Sequence, residues 1–201
     1  MKILNTEEYI SEKLDIKPIS KDDKRFSSDE PEVDEKTRAT IKNNHLVWNK
    51  KTRRYDCDGN VSLTEHDIKD GKFTIQFGVV KGWFDCSLCK LISLEGAPIE
   101  VGGTFYCDNN NLTSLVGAPQ ETNDFNCSHN YLTNLKGAPK TVIGDFNCEH
   151  NNITSLEGAP EFVGGNFYCK DNYNRFGDRL VMPKDKPSWI GGEMIGEVTF
   201  N

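Results

Sequence analysis

From residue 84 onward the apolar positions of this chain keep a fixed register. Phe84, Phe105, Phe125, Phe146 and Phe167 each stand two residues before a cysteine: Cys86, Cys107, Cys127, Cys148 and Cys169. The cysteines are spaced by 21, 20, 21 and 21 residues. Three positions after them come Cys89, Asn110, Asn130, Asn151 and Asn172. Five positions after them come Leu91, Leu112, Leu132 and Ile153. Leu94, Leu115, Leu135 and Leu156 follow, and then Gly-Ala-Pro at 96–98, 117–119, 137–139 and 158–160. Phe-x-Cys is a period-two pair, so both side chains point to one face of a short strand. Stacked coils set such strands side by side, about 4.8 Å apart, as a parallel sheet that buries its Phe and Cys columns. At the exit of the strand, a buried Asn amide can bond the backbone of its own and the next coil. Gly-Ala-Pro suits a bend back, because Gly permits positive φ and Pro fixes φ. Too few residues remain for a full helix on the return path, which predicts turns, polyproline-like segments or 3₁₀ pieces.

These residues resemble the leucine-rich-repeat pattern L-x-x-L-x-L-x-x-N/C-x-L. Phe105, Cys107, Asn110 and Leu112 fill its last four fixed positions, and Cys89 takes the Cys option. The unit is similar to the short repeats of bacterial effectors and to the Ser-Leu-Glu-Gly-Ala-Pro repeats of many bacteriophage and bacterial proteins. The resemblance covers residues 79–176. It implies a right-handed leucine-rich-repeat solenoid with a parallel β-sheet on the concave face, mostly turns or 3₁₀ on the convex face, and a cap at each end. Three departures stand out. Val80, Val101, Val142 and Val163 lie six residues before the cysteine rather than five, and Phe replaces Leu throughout. The repeat that starts at Cys107 is one residue short, lost between Pro119 and Phe125.

The flanks divide the chain further. Residues 1–40 read as an N-terminal helix and a charged linker or tail, with Asn5 and Glu8 as a capping box and 20–36 carrying little fixed structure. Residues 41–82 read as an N-terminal cap. There His45–Trp48 and Arg54–Cys57 form a hairpin, Val61–Leu63 a further strand, and Phe73–Phe77 alternates into the first coil. Residues 83–175 are the repeats, and 176–201 form a C-terminal cap with Trp189 and Phe200 as plugs.

Composition narrows the function. The net charge of -7 argues against a nucleic-acid partner, which needs a basic surface. No apolar run is long enough for a membrane span, and the acidic start lacks the apolar core of a secretion signal, which predicts a cytoplasmic protein. No Ser-His-Asp set, phosphate loop or paired catalytic carboxylates is present, so no catalytic residue is expected and the chain reads as a non-enzyme. Effectors with such repeats often carry a separate catalytic domain, and residues 176–201 are too few for one. Cys86-x-x-Cys89 has metal-ligand spacing, but both residues belong to repeat columns and no second such pair exists. The cysteines read as structural thiols, and no metal or cofactor is expected. His129 and His150, one coil apart, belong to a variable column with Leu88, Asn109 and Asp171.

The outward strand positions are the candidate partner-binding residues: Trp83, Asp85, Tyr106, Asp108, Asp124, Asn126, Asp145, Asn147, Glu149, Tyr168 and Lys170. Aromatic anchors of this kind dominate protein interfaces, and the carboxylates call for a partner with a basic patch. The expected function is a protein–protein interaction module. The phage resemblance implies a phage-encoded inhibitor of a host protein, such as a defence component. The alternatives are a virion component docking through its N-terminal tail, and an enzyme or metal protein.

Overall fold

Two columns of very short strands run through the chain at right angles to its direction of stacking. The computed structural model describes residues 29–173, 177 and 186–196. Two compact units are distinguished, Met1–Pro31 and Glu32–Asn201. The expected N-terminal helix, most of the charged tail, and Phe200 lie outside the described residues.

The second unit opens with helix α1 (Glu35–Asn43), which begins inside the stretch read from sequence as a linker. The Asp34 carboxylate accepts the Thr37 N–H at 2.7 Å as N-cap, Glu35 sits in the first turn and Lys42 in the last, an arrangement that suits the helix dipole. Its C-cap residue Asn44 accepts the Ser62 N–H at 2.8 Å, and Ile41 enters the core.

The expected hairpin forms: β1 (Val47–Asn49) pairs antiparallel with β2 (Arg54–Cys57). β3 (Val61–Ser62) follows, then a 3₁₀ turn at Glu65–Asp67 and a small hairpin of β4 (Ile68–Lys69) and β5 (Lys72–Phe73). Phe73, Ile75 and Phe77 are buried while Thr74 and Gln76 are exposed, as the alternation predicts. β6 (Phe77–Val80) leads into the coils.

Each coil contributes one strand to the main sheet: β7 (Phe84–Asp85), β9 (Phe105–Tyr106), β11 (Phe125–Asn126), β13 (Phe146–Asn147) and β15 (Phe167–Tyr168). With β3 at one end and β16 (Met194–Ile195) at the other, they form a seven-stranded sheet in which neighbours run parallel, Phe opposite Phe among the five coils and Val61 and Met194 opposite the outermost Phe residues. The return path differs from the expectation of turns and 3₁₀. It carries a second column of strands, β8 (Glu100–Val101), β10 (Glu121–Thr122), β12 (Thr141–Val142) and β14 (Phe162–Val163). The reason lies in the shifted valines: β-branched Val101, Val142 and Val163 are buried and extended, which is where such residues pack best. The chain is a parallel-strand β-solenoid of about five stacked turns with little helix.

The core is a set of ladders. Phe84, Phe105, Phe125, Phe146 and Phe167 stack at centroid distances of 5.4, 5.5, 5.4 and 5.2 Å, nearly parallel. Phe77 closes one end edge-on at 4.9 Å, and Trp189 closes the other edge-on at 5.3 Å. Beside them the Asn column is buried. Asn110 donates to the carbonyls of Cys107, in its own coil, and Cys86, in the coil before, while its oxygen accepts from Cys89 and Leu91 N–H. The ladder therefore bridges to the preceding coil rather than the next.

Candidate binding surface

The two residues of each main-sheet strand divide the labour. The Phe points inward. Its neighbour points outward, and register places Ser62, Asp85, Tyr106, Asn126, Asn147, Tyr168 and Ile195 in one line across the sheet. Three members of this line cap their own turn. Asp85 accepts from Ser87 N–H at 2.9 Å, Asn126 from Ser128 N–H at 3.1 Å and Asn147 from Glu149 N–H at 2.9 Å. Each saturates a backbone donor where the strand ends. Tyr106 and Tyr168 occupy the same position with a side chain unable to accept at that range. Tyr106 is 37% exposed, and Tyr168 is half-buried, its hydroxyl accepting from the Asn166 amide at 3.1 Å.

The column before the Phe holds Trp83, Thr104, Asp124, Asp145 and Asn166. Here the structure gives two of the predicted contact residues a second occupation. Asp124 accepts the Asp145 N–H at 2.8 Å, Asp145 accepts the Asn166 N–H at 2.7 Å, and Asn166 accepts the Glu193 N–H at 2.8 Å. These side chains tie each coil to the next, so Asp124 and Asp145 are structural whatever else they meet. Trp83, at 37% exposure, replaces this link with an aromatic ring. The column after the Cys holds Asp108, Glu149 and Lys170, and the Asp108 carboxylate accepts from the side-chain amides of Asn109 and Asn126. All eleven predicted residues thus lie on one sheet face or its margin.

The cysteines lie in the core behind this face. All seven are free and buried. Burial first, then the nearby carboxylates, pushes the Cys89 thiol up to about 12, and burial raises Cys86, Cys107, Cys127 and Cys148 well above the usual thiol range. Cys86, Cys127 and Cys148 lie 3.2–3.3 Å from the Tyr106, Asn147 and Tyr168 carbonyls as donors. His129 and His150 stack face to face at 4.3 Å, and His150 Nε2 lies 3.5 Å from Asp171. Among the described residues no group of three His, Cys, Asp or Glu is placed to hold a metal, and no helix is long and apolar enough to cross a membrane.

Sequence reasoning missed one feature of the margin. Leu88, Asn109, His129, His150 and Asp171 all adopt left-handed backbone, with φ of 52–56°. Asn tolerates this region and Leu does not, yet Leu88 stands there 70% exposed. Its column was visible in the repeat; its conformation was not. No protein family, curated protein or solved structure matches the chain.

Proposed function

We propose that this chain is a right-handed leucine-rich-repeat protein that binds a partner protein through the outer face of its seven-stranded sheet, the concave face in that class. The observation that carries the reading is the pair of tyrosines in the outward line. Asp and Asn at that position serve the fold by capping the turn. Tyr106 and Tyr168 give up that service and offer rigid amphipathic area instead, as interface anchors do. Trp83 makes the same exchange in the next column, and Asp85, Asp108 and Glu149 add negative charge that selects a basic partner patch. The similarity of the repeats to those of bacteriophage proteins extends the proposal: the partner is a host protein, a defence component, which this chain blocks.

The test is affinity capture from a lysate of cells that express the gene. Wild type is run beside Tyr106→Ala with Asp108→Lys, two positions whose side chains bond no backbone of another coil. A basic protein retained by wild type and lost by the equally stable variant is the expected result. Equal retention by both contradicts the assignment of this face.

A further inference from the structure

The missing residue in the repeat has a structural consequence on the second strand column. In a regular turn, two consecutive amides after the Val position bond the coil before. Gly102 and Gly103 N–H bond the carbonyls of Val80 and Gly82, and Ile143 and Gly144 N–H bond those of Thr122 and Asn123. In the short turn only Asn123 stands between Thr122 and Asp124, and its N–H goes to Gly103. The amide that answers Val101 is gone. One step earlier, Lys140 and Thr141 N–H both reach the Gln120 carbonyl, whereas the equivalent bonds from Gln120 and Glu121 to Ile99 are not made. The column therefore splits: β8 ends a four-stranded sheet and β10 begins a separate three-stranded one. Over their junction lies a half-open surface pocket of about 450 Å³ lined by Ile99, Glu100, Val101, Glu121, Thr122 and Ile143, among others.

We infer that this seam is a binding slot for an arginine side chain presented by a partner protein. Its walls supply the matching chemistry. Val101 and Thr122 are buried, so Glu100 and Glu121 project outward at the lip, and both are exposed. Neighbouring lysines are committed elsewhere, Lys81 to Asp58 at 2.7 Å and Lys140 to Glu161 at 3.4 Å. Two carboxylates and the vacated Ile99 and Val101 carbonyls are all acceptors, and a guanidinium is the planar group with five donors and none to spare for another role. Ile99 and Ile143, exposed on either side, suit the aliphatic stem. A whole strand does not fit: β8 and β10 keep their Cα atoms within 8 Å, and an inserted strand needs about 9.6 Å between its neighbours. The slot stands on different residues from the tyrosine face, around the bend at 102–104, and each is tested separately.

The experiment titrates the full chain with the peptide acetyl-Gly-Arg-Gly-amide and follows backbone amide shifts by NMR. The expected result is saturable movement of the Gln120, Glu121, Asn123 and Ile143 amides, with a dissociation constant on the order of a millimolar. The citrulline peptide, uncharged and nearly isosteric, binds at least about ten-fold more weakly, and so does Glu100→Gln with Glu121→Gln. Inserting a glycine after Asn123 restores the 21-residue period, closes the seam and abolishes the shifts. Equal binding of the citrulline peptide, or no shift at these amides, overturns the proposal. Spermine binding the same amides more tightly than the peptide overturns the assignment to a protein side chain.

Discussion

Asn130 concentrates the residue-level logic of the repeat. It is buried, accepts the Leu112 N–H at 2.9 Å, and donates to the carbonyls of Cys107, Cys127 and Ser128. Asn130→Ala leaves several buried backbone groups unanswered, so denaturant unfolding is expected to show a loss of about 3 kcal/mol or more; a loss below about 1 kcal/mol contradicts this role. Gly137 has φ of 90°, and a Cβ there would lie 2.3 Å from the Val116 nitrogen in the preceding coil. Gly137→Ala meets both the left-handed penalty and a backbone clash, for a cost of about 2 kcal/mol or more. The buried thiols set the pH response. Burial raises Cys86, Cys107, Cys127 and Cys148 well above the ordinary 9.0 and Cys89 and Cys169 to about 12, so above pH 9 the unfolded chain releases protons that these folded thiols keep. The stability is fully present below that point and is lost as pH rises toward the folded values. Thermal melts between pH 7 and 11 should fall in the alkaline half, and less steeply for Cys89→Ala. A flat profile would mean that the thiols ionise equally in both states.

At the level of elements, the main sheet was legible because its residues recur. Phe, Cys, Asn and Leu keep one register through the repeats, and parallel stacking follows from that alone. The cap hairpin was legible for another reason, an alternation flanking a polar turn. Helix α1 was not. Its nine residues are mostly polar, only Thr37, Thr40 and Ile41 are buried, and Asp34 as N-cap is a single-residue signal. The second strand column was missed because its strands are two residues long, too short for any period to register. The gap in that column was written in the sequence as a missing residue, but which hydrogen bond it deletes requires knowing which amide faces which carbonyl. The aromatic ladder yields a prediction at this scale. Trp189 closes it beyond Phe167, and in a solenoid each coil leans only on its neighbours. Trp189→Ala should therefore release hydrogen-exchange protection at Phe167 and Cys169 while Phe84 and Phe105 keep theirs. Uniform loss along the chain contradicts the nearest-neighbour picture.

For the molecule as a whole, the candidate surface was half visible in the sequence. Alternation identified the outward residues of the five repeat strands, but not which of them the fold also employs. Asp124 and Asp145 bond the next coil, and Asp85, Asn126 and Asn147 cap their turns, which leaves Trp83, Tyr106, Asp108, Glu149, Tyr168 and Lys170 as the positions most nearly released for a partner. For the proposed partner with a basic patch, the net charge of -7 and the carboxylates on this face would supply long-range attraction. The partner's association rate should fall roughly ten-fold between about 0.05 M and 0.5 M salt. The most direct measurement of the central claim is the affinity of the captured partner for Tyr106→Ala with Tyr168→Ala, set beside wild type, with melting curves recorded for both. The account predicts binding weakened by about 100-fold or more with little change in melting temperature. Unaltered affinity in a folded double variant would contradict it and remove this sheet face from the function.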